Sequence, residues 1–138
     1  MITYEIEGIP RPQGSKRHIG GGVMLESSKY VANWRAYAKL KAVEAMRTVQ
    51  RIEKPHGVQL EVAFVFDRPL KHFTKKGLRS EAPKYYTIVP DADKVLRALL
   101  DSMSGVVFGD DSQVCVLSVS KTYGKAPTTI VRVSKVEQ

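Results

Sequence analysis

The stretch at residues 90–113, PDADKVLRALLDSMSGVVFGDDSQ, predicts one helix with acidic residues at both of its ends. Its apolar residues recur at intervals of three and four, which is the period of a helix. They are Val95, Leu96, Leu99, Leu100 and Met103. The opposite side of the same helix is polar, and it carries Asp93, Arg97, Asp101 and Ser104. A helix of this kind packs its apolar face into a core and leaves its two ends free for chemistry.

Two aspartates separated by one residue, Asp91 and Asp93, stand where this helix begins. On an ideal helix they would lie about 200° apart, whereas in an extended segment both fall on the same side. Pro90 biases the residue before it towards extended backbone, which favours the second arrangement. We therefore predict that the D-x-D pair lies in an extended run-in and that the helix starts at or after Asp93. The alternative, in which an aspartate only caps the helix, explains one of the two and not both.

A second acidic pair, Asp110-Asp111, follows the helix. Because the acidic cluster contains neither Cys nor His, its oxygen ligands favour a hard ion such as Mg²⁺ or Mn²⁺. Two such ions ~3.5–4 Å apart activate water and stabilise the leaving oxygen in phosphodiester hydrolysis, and Arg97 can offset the charge that develops. Two simpler readings stay open. Asp110-Asp111 can form only a turn, and Arg97 can form only surface ion pairs with Asp93 and Asp101.

The composition describes a basic chain of 138 residues, and we treat residues 1–138 as a single domain. Its 22 Lys and Arg exceed its 14 Asp and Glu and give a net charge of +8, which favours a nucleic acid or another polyanion as the partner. The single cysteine, Cys115, cannot form an internal disulfide, and we expect it to be a small buried residue on a strand. No segment approaches the ~18 apolar residues of a membrane span. The chain is therefore expected to be soluble and cytoplasmic, without a membrane partner.

Alternating and helical patterns divide the chain into elements. Strands are predicted at 2–8, 58–67, 114–122 and 128–136, and a first helix runs from Ser27 or Ser28, as N-cap, to about Gln50. The strand at 58–67 alternates strongly and is expected at the centre of the sheet, while the last two strands are expected to form a hairpin around 123–127. The order β-α-β, long basic loop, α-β-β predicts a small α/β domain with a mixed sheet and two main helices.

Two basic segments are candidates for phosphate contacts. The glycine-rich loop at 10–22 carries Arg11, Lys16 and Arg17, and the NH groups of Gly14 and Ser15 can serve the same purpose. The longer segment at 68–90 interleaves aromatic residues with basic ones, a combination suited to phosphate contact and base stacking. Its candidate DNA-binding residues are Arg68, Lys71, Lys75, Lys76, Arg79 and Lys84. Both segments can also be solvated loops without a partner. His72 has no second ligand at metal-binding spacing, so we interpret it as a loop histidine.

The arrangement of residues resembles that of the RusA-like Holliday junction resolvases. The matching features are the D-x-D of Asp91 and Asp93, a basic residue four positions on, a Leu-Asp pair, a turn with glycine, and a final D-D-x-Q-V. In this chain the later features read Arg97, Leu100-Asp101, Gly105 and Asp110-Asp111-Ser112-Gln113-Val114. The opening strand and its GIPRPQGSKR loop also fit, so the resemblance loosely spans the chain.

The resemblance implies a small homodimeric endodeoxyribonuclease of phages and bacteria that cuts four-way DNA junctions with Mg²⁺. It places the metal-binding aspartates at Asp91, Asp93 and Asp111. The catalytic lysine of the family falls on Arg97, which keeps the charge but does not readily give up a proton. Lys94 stands where the family commonly has Asn, which adds a cation beside the expected metal site.

Two other function classes stay open on the residues alone. In a non-catalytic basic DNA-binding module, the aspartates would be caps and turns. A metal-dependent phosphatase is the other, because DADKV also fits the D-x-D-x-[TV] nucleophile signature of haloacid-dehalogenase-like phosphatases. In those enzymes the acidic motifs belong on separate strands, whereas here most of the residues between Asp93 and Asp110 form one helix.

Overall fold

The computed structural model describes residues 1–14, 16–19, 23–26 and 29–137, and in 16–19, 23–26 and 29 it describes the backbone only. Its centre is a mixed sheet of four strands: β1 (Ile2–Glu7), β4 (Val58–Asp67), β7 (Val114–Gly124) and β8 (Thr128–Lys135). Their order across the sheet is β1-β8-β4-β7. The strand β8 runs antiparallel to β1 and β4, and β7 runs parallel to β4. The predicted α/β class with a mixed sheet is confirmed.

The helices α1 (Lys29–Ala45) and α2 (Ala92–Met103) cover one face of this sheet. The central strand β4 alternates buried and exposed residues, because only one of its faces meets the helices. The core joins the inward side chains of β1, β4 and β8 to those of both helices, and its largest fully buried members include Phe64, Phe108, Ile6, Leu60 and Leu99. The central position predicted for residues 58–67 is confirmed.

The helix α2 is amphipathic as its sequence predicts. Val95, Leu99 and Met103 are fully buried, whereas Asp93 and Arg97 are exposed on the other side. The helix begins at Ala92, one residue before the predicted start. After it, Gly105 turns the chain with φ +83°, a value that favours glycine, and its N–H donates to Phe108 O at 2.8 Å.

The helix α1 ends at Ala45, five residues earlier than predicted, and turns follow it. Val31, Trp34, Ala38 and Ala42 form its buried stripe. Ser27 and Ser28, predicted as its N-cap, lie outside the described residues. Nowhere in the described part of the chain is there a helix of the length and apolar character needed to cross a membrane.

The predicted hairpin of the last two strands is wrong. The strand β4 lies between β7 and β8 and pairs with both of them, so the connection at 125–127 crosses over a strand instead of joining neighbours. Alternation within a strand predicts which residues face the core, but it does not determine which strands lie beside it in the sheet. Cys115 is on β7 as predicted, but it is exposed, because the register shift between β4 and β7 leaves it without a paired residue on β4.

The glycine-rich loop predicted at 10–22 contains one short strand, β2 (Lys16–Ile19), which pairs antiparallel with β3 (Val23–Glu26) just after the loop. Ser15 and residues 20–22 lie outside the described residues. The basic segment at 68–90 is likewise more structured than its lack of periodicity indicated. It holds a 3₁₀ turn at Leu70–His72 and a small hairpin of β5 (Phe73–Thr74) and β6 (Gly77–Leu78).

Candidate active site

Asp91 stands at the N-cap of α2 with extended backbone, φ −67° and ψ 146°, and its side chain makes no capping hydrogen bond. The carboxylate is about half exposed, and Lys94 Nζ lies 3.8 Å from its Oδ2. An ion pair this exposed contributes little to stability. The reading in which Asp91 serves only as a helix cap therefore does not describe this structure, and its carboxylate is accessible to a ligand.

Asp93 lies in the first turn of α2 and is exposed. It was expected together with Asp91 in an extended run-in, but only Asp91 has extended backbone. The two carboxylates thus share the start of the helix, where the backbone N–H groups favour negative charge. Arg97 follows one turn later and is exposed. Within the described residues, Arg97 forms no ion pair with Asp93 or with Asp101, so the surface ladder is not formed.

The second acidic pair divides into a structural and an accessible aspartate. Asp110 caps a 3₁₀ turn, Asp111–Gln113, by accepting from Ser112 N at 3.0 Å, and this hydrogen bond lowers the pKa of the Asp110 carboxyl. Gln113 completes the capping box through Asp110 N at 2.9 Å. Its amide also donates to Ile52 O and His56 O, which ties the turn to the segment before β4. Asp111 is exposed, and its carboxylate takes no part in the capping box.

Asp111 and the Asp91–Asp93 pair stand at opposite ends of β7. Asp111 begins the turn that leads directly into Val114, the first residue of the strand. Asp91 follows Pro90, whose carbonyl accepts from Lys121 Nζ at 2.6 Å, seven residues further along the same strand. At ~3.3 Å per residue this part of β7 spans about 23 Å, and the twelve residues of α2 span about 18 Å on the way back. One chain by itself therefore does not bring the three aspartates together.

In keeping with this separation, no three acidic, histidine or cysteine side chains among the described residues are grouped so that they could hold a metal ion. The donor chemistry at the start of α2 nevertheless suits a hard cation. Asp91 and Asp93 supply exposed carboxylate oxygens, which are ligands that such a cation prefers.

The edge of β7 that faces away from β4 has no strand partner along residues 114–120 in the described part of the chain, and we call this stretch the open edge. Further on, residues 84–86 cover this edge, with Tyr86 N donating to Lys121 O and Tyr123 N donating to Lys84 O, both at 3.0 Å. The open part reads VCVLSVS and contains no charged residue. Val116 and Leu117 are 46% and 47% exposed there. Edge strands are usually protected by charges or proline, and this one has neither.

The basic segment uses some of its cations within the fold and presents others to solvent. Arg68 donates to Pro83 O at 2.7 Å and lies over the Tyr123 ring, and Arg79 donates to Lys71 O at 2.9 Å. Lys84 lies over the Tyr85 ring. By contrast, Lys71, Lys75 and Lys76 are exposed, and the last two form the turn between β5 and β6. The exposed lysines are the ones available to a phosphate backbone.

Of the three N-terminal candidates, only Arg11 has a described side chain. It is half-buried and lies 5.1 Å from the centre of the Tyr30 ring. Lys16 and Arg17 belong to the β2 backbone, and their side chains lie outside the described residues. The loop before them contacts the candidate site, because Gln13 N donates to Lys94 O at 3.0 Å.

Sequence reasoning missed an aromatic group beside Asp91. Tyr86 stacks on Phe66 with ring centres 3.9 Å apart, and Tyr123 meets both Tyr86 and His72 edge to face. His72, expected to be a loop histidine, is buried in this group. Its burial, together with Arg68 and Lys71, lowers the pKa of the imidazole, so the ring is neutral at pH 7. Lys121, on β7, was also missed, since a lone lysine on a strand carries no signal of such a position.

Comparison with known proteins identifies the family and a curated relative. The family described as Endodeoxyribonuclease RusA matches residues 5–134, which include both acidic pairs, Arg97 and the whole basic segment. The chain is also similar to a protein of Bacillus subtilis (strain 168) named "Uncharacterized protein YqaN". The two are 27% identical over 140 residues, covering 98% of this chain and 96% of the relative.

Proposed function

The chain belongs to the RusA endodeoxyribonuclease family, and from this premise we propose that it is a Mg²⁺-dependent, structure-selective endonuclease that resolves four-way DNA junctions in recombination and repair. One observation carries the proposal beyond family membership. At the start of α2 the Asp91 carboxylate is exposed and unused as a cap, beside the exposed Asp93. We place the activity in the cytoplasm of a bacterial cell, where phage or chromosomal DNA is branched during recombination.

Asp91, Asp93 and Asp111 would hold the Mg²⁺, or Mn²⁺ in its place. When bound there, such an ion would supply a nucleophile at neutral pH and stabilise the leaving oxygen of the cut phosphodiester. Asp110 and Gln113 fix the turn that presents Asp111, and we assign Asp110 to the cap instead of the metal because its Oδ2 accepts the capping hydrogen bond. Lys94 adds positive charge beside Asp91.

Arg97 stabilises the negative charge that builds on the phosphate in the transition state. Its guanidinium is exposed on the same helix as Asp93, and neither Asp93 nor Asp101 occupies it in the described part of the molecule. It acts through charge, because a guanidinium stays protonated under ordinary conditions.

Replacing Arg97 with Ala is expected to lower the single-turnover cleavage rate by about 10²–10³, the scale for loss of one transition-state donor. Arg97→Lys keeps the charge and should keep substantial activity. Junction affinity, measured without cleavage in Ca²⁺, should change little. Lys39→Ala, which removes an exposed cation from α1, is the matched control. An Arg97→Ala enzyme as fast as this control would remove Arg97 from the site.

We further propose that the enzyme is a homodimer in which each active site takes Asp91 and Asp93 from one subunit and Asp111 from the other. The separation of about 20 Å within one chain supports this arrangement. Antiparallel pairing of the open β7 edges of two copies, about a two-fold axis near Leu117, would lay the start of one β7 beside residue 121 of the other. Asp111 of the partner subunit would then approach Asp91 and Asp93. The uncharged, partly apolar edge at 114–120 suits such a pairing.

The exposed cations of the basic segment would grip the DNA backbone on the approach to the site. Lys71, Lys75 and Lys76 are free to contact phosphates, with Arg11, Lys16 and Arg17 as further contacts from the N-terminal segment. Arg68, Arg79 and Lys84 have partners within the fold and would mainly hold the segment in shape. Contacts of this kind strengthen binding without reading sequence.

The function is tested by offering three substrates with and without Mg²⁺: a four-way junction, a linear duplex of the same arm sequence, and p-nitrophenyl phosphate. We expect paired nicks in the junction that require the metal, and no comparable reaction with the other two. Metal-dependent release of phosphate from the ester alone would mean a phosphatase. Junction binding without cleavage under any divalent ion would mean a DNA-binding module.

A further inference from the structure

Three successive carbonyl groups immediately before Asp91 are held by two side chains. Lys121 Nζ donates to Ile88 O at 2.8 Å and to Pro90 O at 2.6 Å. Between them, Tyr86 OH donates to Val89 O at 2.7 Å. The backbone that leads into the aspartate is thus fixed at every residue from 88 to 90.

Polar contacts matter here because packing does little to hold this segment. Ile88 and Val89 are 60% and 75% exposed. Pro90 is only half-buried. On its C-terminal side Asp91 is held by α2, because its carbonyl accepts from Lys94 N and Val95 N. With the apolar side chains turned to solvent, the carbonyl hydrogen bonds at 88–90 restrain Asp91 from the N-terminal side.

The surroundings of Lys121 keep its ammonium group on the carbonyls of Ile88 and Pro90. It projects from the helix-covered face of β7, in register with the buried Phe64 of β4, and is itself half-buried. Its ammonium lies 5.2 Å from the centre of the Tyr86 ring. Two carbonyl oxygens and an aromatic face together satisfy its three N–H donors. A lysine held in this way faces the protein and not a phosphate backbone.

Tyr86 is equally fixed. Its ring stacks on Phe66 at an interplanar angle of 13° and meets the edge of Tyr123. Burial raises the pKa of its hydroxyl above the ordinary value, with smaller contributions from Tyr123 and Asp67. The hydroxyl therefore stays protonated and donates to Val89 O at neutral pH. The two side chains anchor the segment at 88–90 to the ends of β4 and β7.

We infer that Lys121, supported by Tyr86, is a positioning residue that sets the direction of the Asp91 carboxylate towards the metal ion. The inference rests on the proposed function, since it assumes that Asp91 is a ligand. It adds a residue on β7 that touches neither the metal nor the DNA. Residues that orient a metal ligand commonly affect metal affinity 10- to 100-fold when replaced.

The test measures Mn²⁺ binding to the full-length protein without DNA, from the electron paramagnetic resonance signal of the free ion. Lys121→Met should raise the Mn²⁺ dissociation constant about tenfold, at the lower end of that range because Lys121 acts through backbone carbonyls. Lys121→Arg keeps a charged donor and should recover most of the affinity. Lys125→Met is the matched control, because it removes the same charge from the exposed turn after β7.

Cleavage gives a second readout that separates positioning from DNA contact. The Lys121→Met enzyme should need about tenfold more Mg²⁺ for half-maximal junction cleavage, and saturating Mg²⁺ should restore most of its rate. A lost phosphate contact would instead weaken junction binding at every Mg²⁺ concentration. If Lys121→Met fails to fold by circular dichroism, Tyr86→Phe decides, because it keeps the ring stack and loses only the hydroxyl that holds Val89 O.

An Mn²⁺ affinity for Lys121→Met equal to that of Lys125→Met would overturn the inference. If Lys121→Met does not fold, a wild-type Mn²⁺ affinity for Tyr86→Phe would overturn it instead. A wild type that binds Mn²⁺ but cuts no junction would refute the proposed function and leave the positioning role intact. A wild type that binds no Mn²⁺ at millimolar concentrations would refute both.

Discussion

Replacing Asp91, Asp93 or Asp111 singly with Asn should lower the single-turnover rate of junction cleavage by about 10³-fold or more. A bound ion contributes several kcal/mol of transition-state stabilisation, and each 1.36 kcal/mol corresponds to a factor of ten in rate. Junction affinity should stay equal or become tighter, because each substitution removes a negative charge that faces the DNA. Cleavage is measured with enzyme in excess over labelled junction, and binding is measured in Ca²⁺.

Asp110→Asn is the matched control for this series. It makes the same change of charge one residue from Asp111, and Asn caps a helical turn about as well as Asp. Its thermal midpoint and cleavage rate should therefore stay near those of the wild type. Were Asp110→Asn to lose activity as fully as Asp111→Asn, the division of the pair into a cap and a ligand would be wrong. A near-normal rate for any of the three predicted ligands would remove that residue from the site.

The amphipathic character of α2 and the central place of β4 were readable from sequence because each depends on a short-range period. A buried residue every three or four positions, or every second one, reports directly which side of an element faces the core. The neighbours of a strand depend instead on contacts distant in sequence. The short connection at 125–127 therefore indicated a hairpin of β7 and β8. In the structure, however, β4 lies between these two strands.

The sequence was similarly informative about the kind of site and less so about its geometry. It identified Asp91 and Asp93 beside a helix start, and the structure places both there with accessible side chains. It treated the acidic residues at both ends of the helix as one cluster. The intervening helix is rigid, however, and its length carries the chain to the far end of β7.

The anchoring of residues 88–90 could not be predicted, because Lys121 is about thirty residues away from the carbonyls it holds and nothing local distinguishes it from a surface lysine. Likewise, the roles of Asp110 and Asp111 differ only through Ser112 and Gln113, whose hydrogen bonds depend on the turn conformation. Motif spacing identifies candidates of this kind. Only the three-dimensional structure shows which of these side chains has a hydrogen-bond partner within the fold.

The claim that each active site is shared between two subunits makes a distinctive prediction for mixed dimers. In a heterodimer of an Asp91→Asn subunit with an Asp111→Asn subunit, both defects fall in one site. The other site receives intact Asp91 and Asp93 from the Asp111→Asn subunit and intact Asp111 from the Asp91→Asn subunit. Two variants that are inactive alone should therefore form an enzyme with one working site, which nicks one strand of the junction and does not cut the second in concert.

A heterodimer of Asp91→Asn with Asp93→Asn is the control, because each of its sites then contains one defect. It should stay inactive whether sites are shared or belong to single chains. Both heterodimers can be prepared by co-expression with two different affinity tags and successive purification on each, which also establishes that two copies associate.

The decisive measurement is the single-turnover nicking rate of the Asp91→Asn/Asp111→Asn heterodimer on a four-way junction in Mg²⁺. The shared-site account predicts a rate within a few-fold of one wild-type site, about 10³-fold above either homodimer, with the Asp91→Asn/Asp93→Asn control remaining inactive. A heterodimer as inactive as its parents, or failure to recover any heterodimer from active wild-type protein, would contradict it.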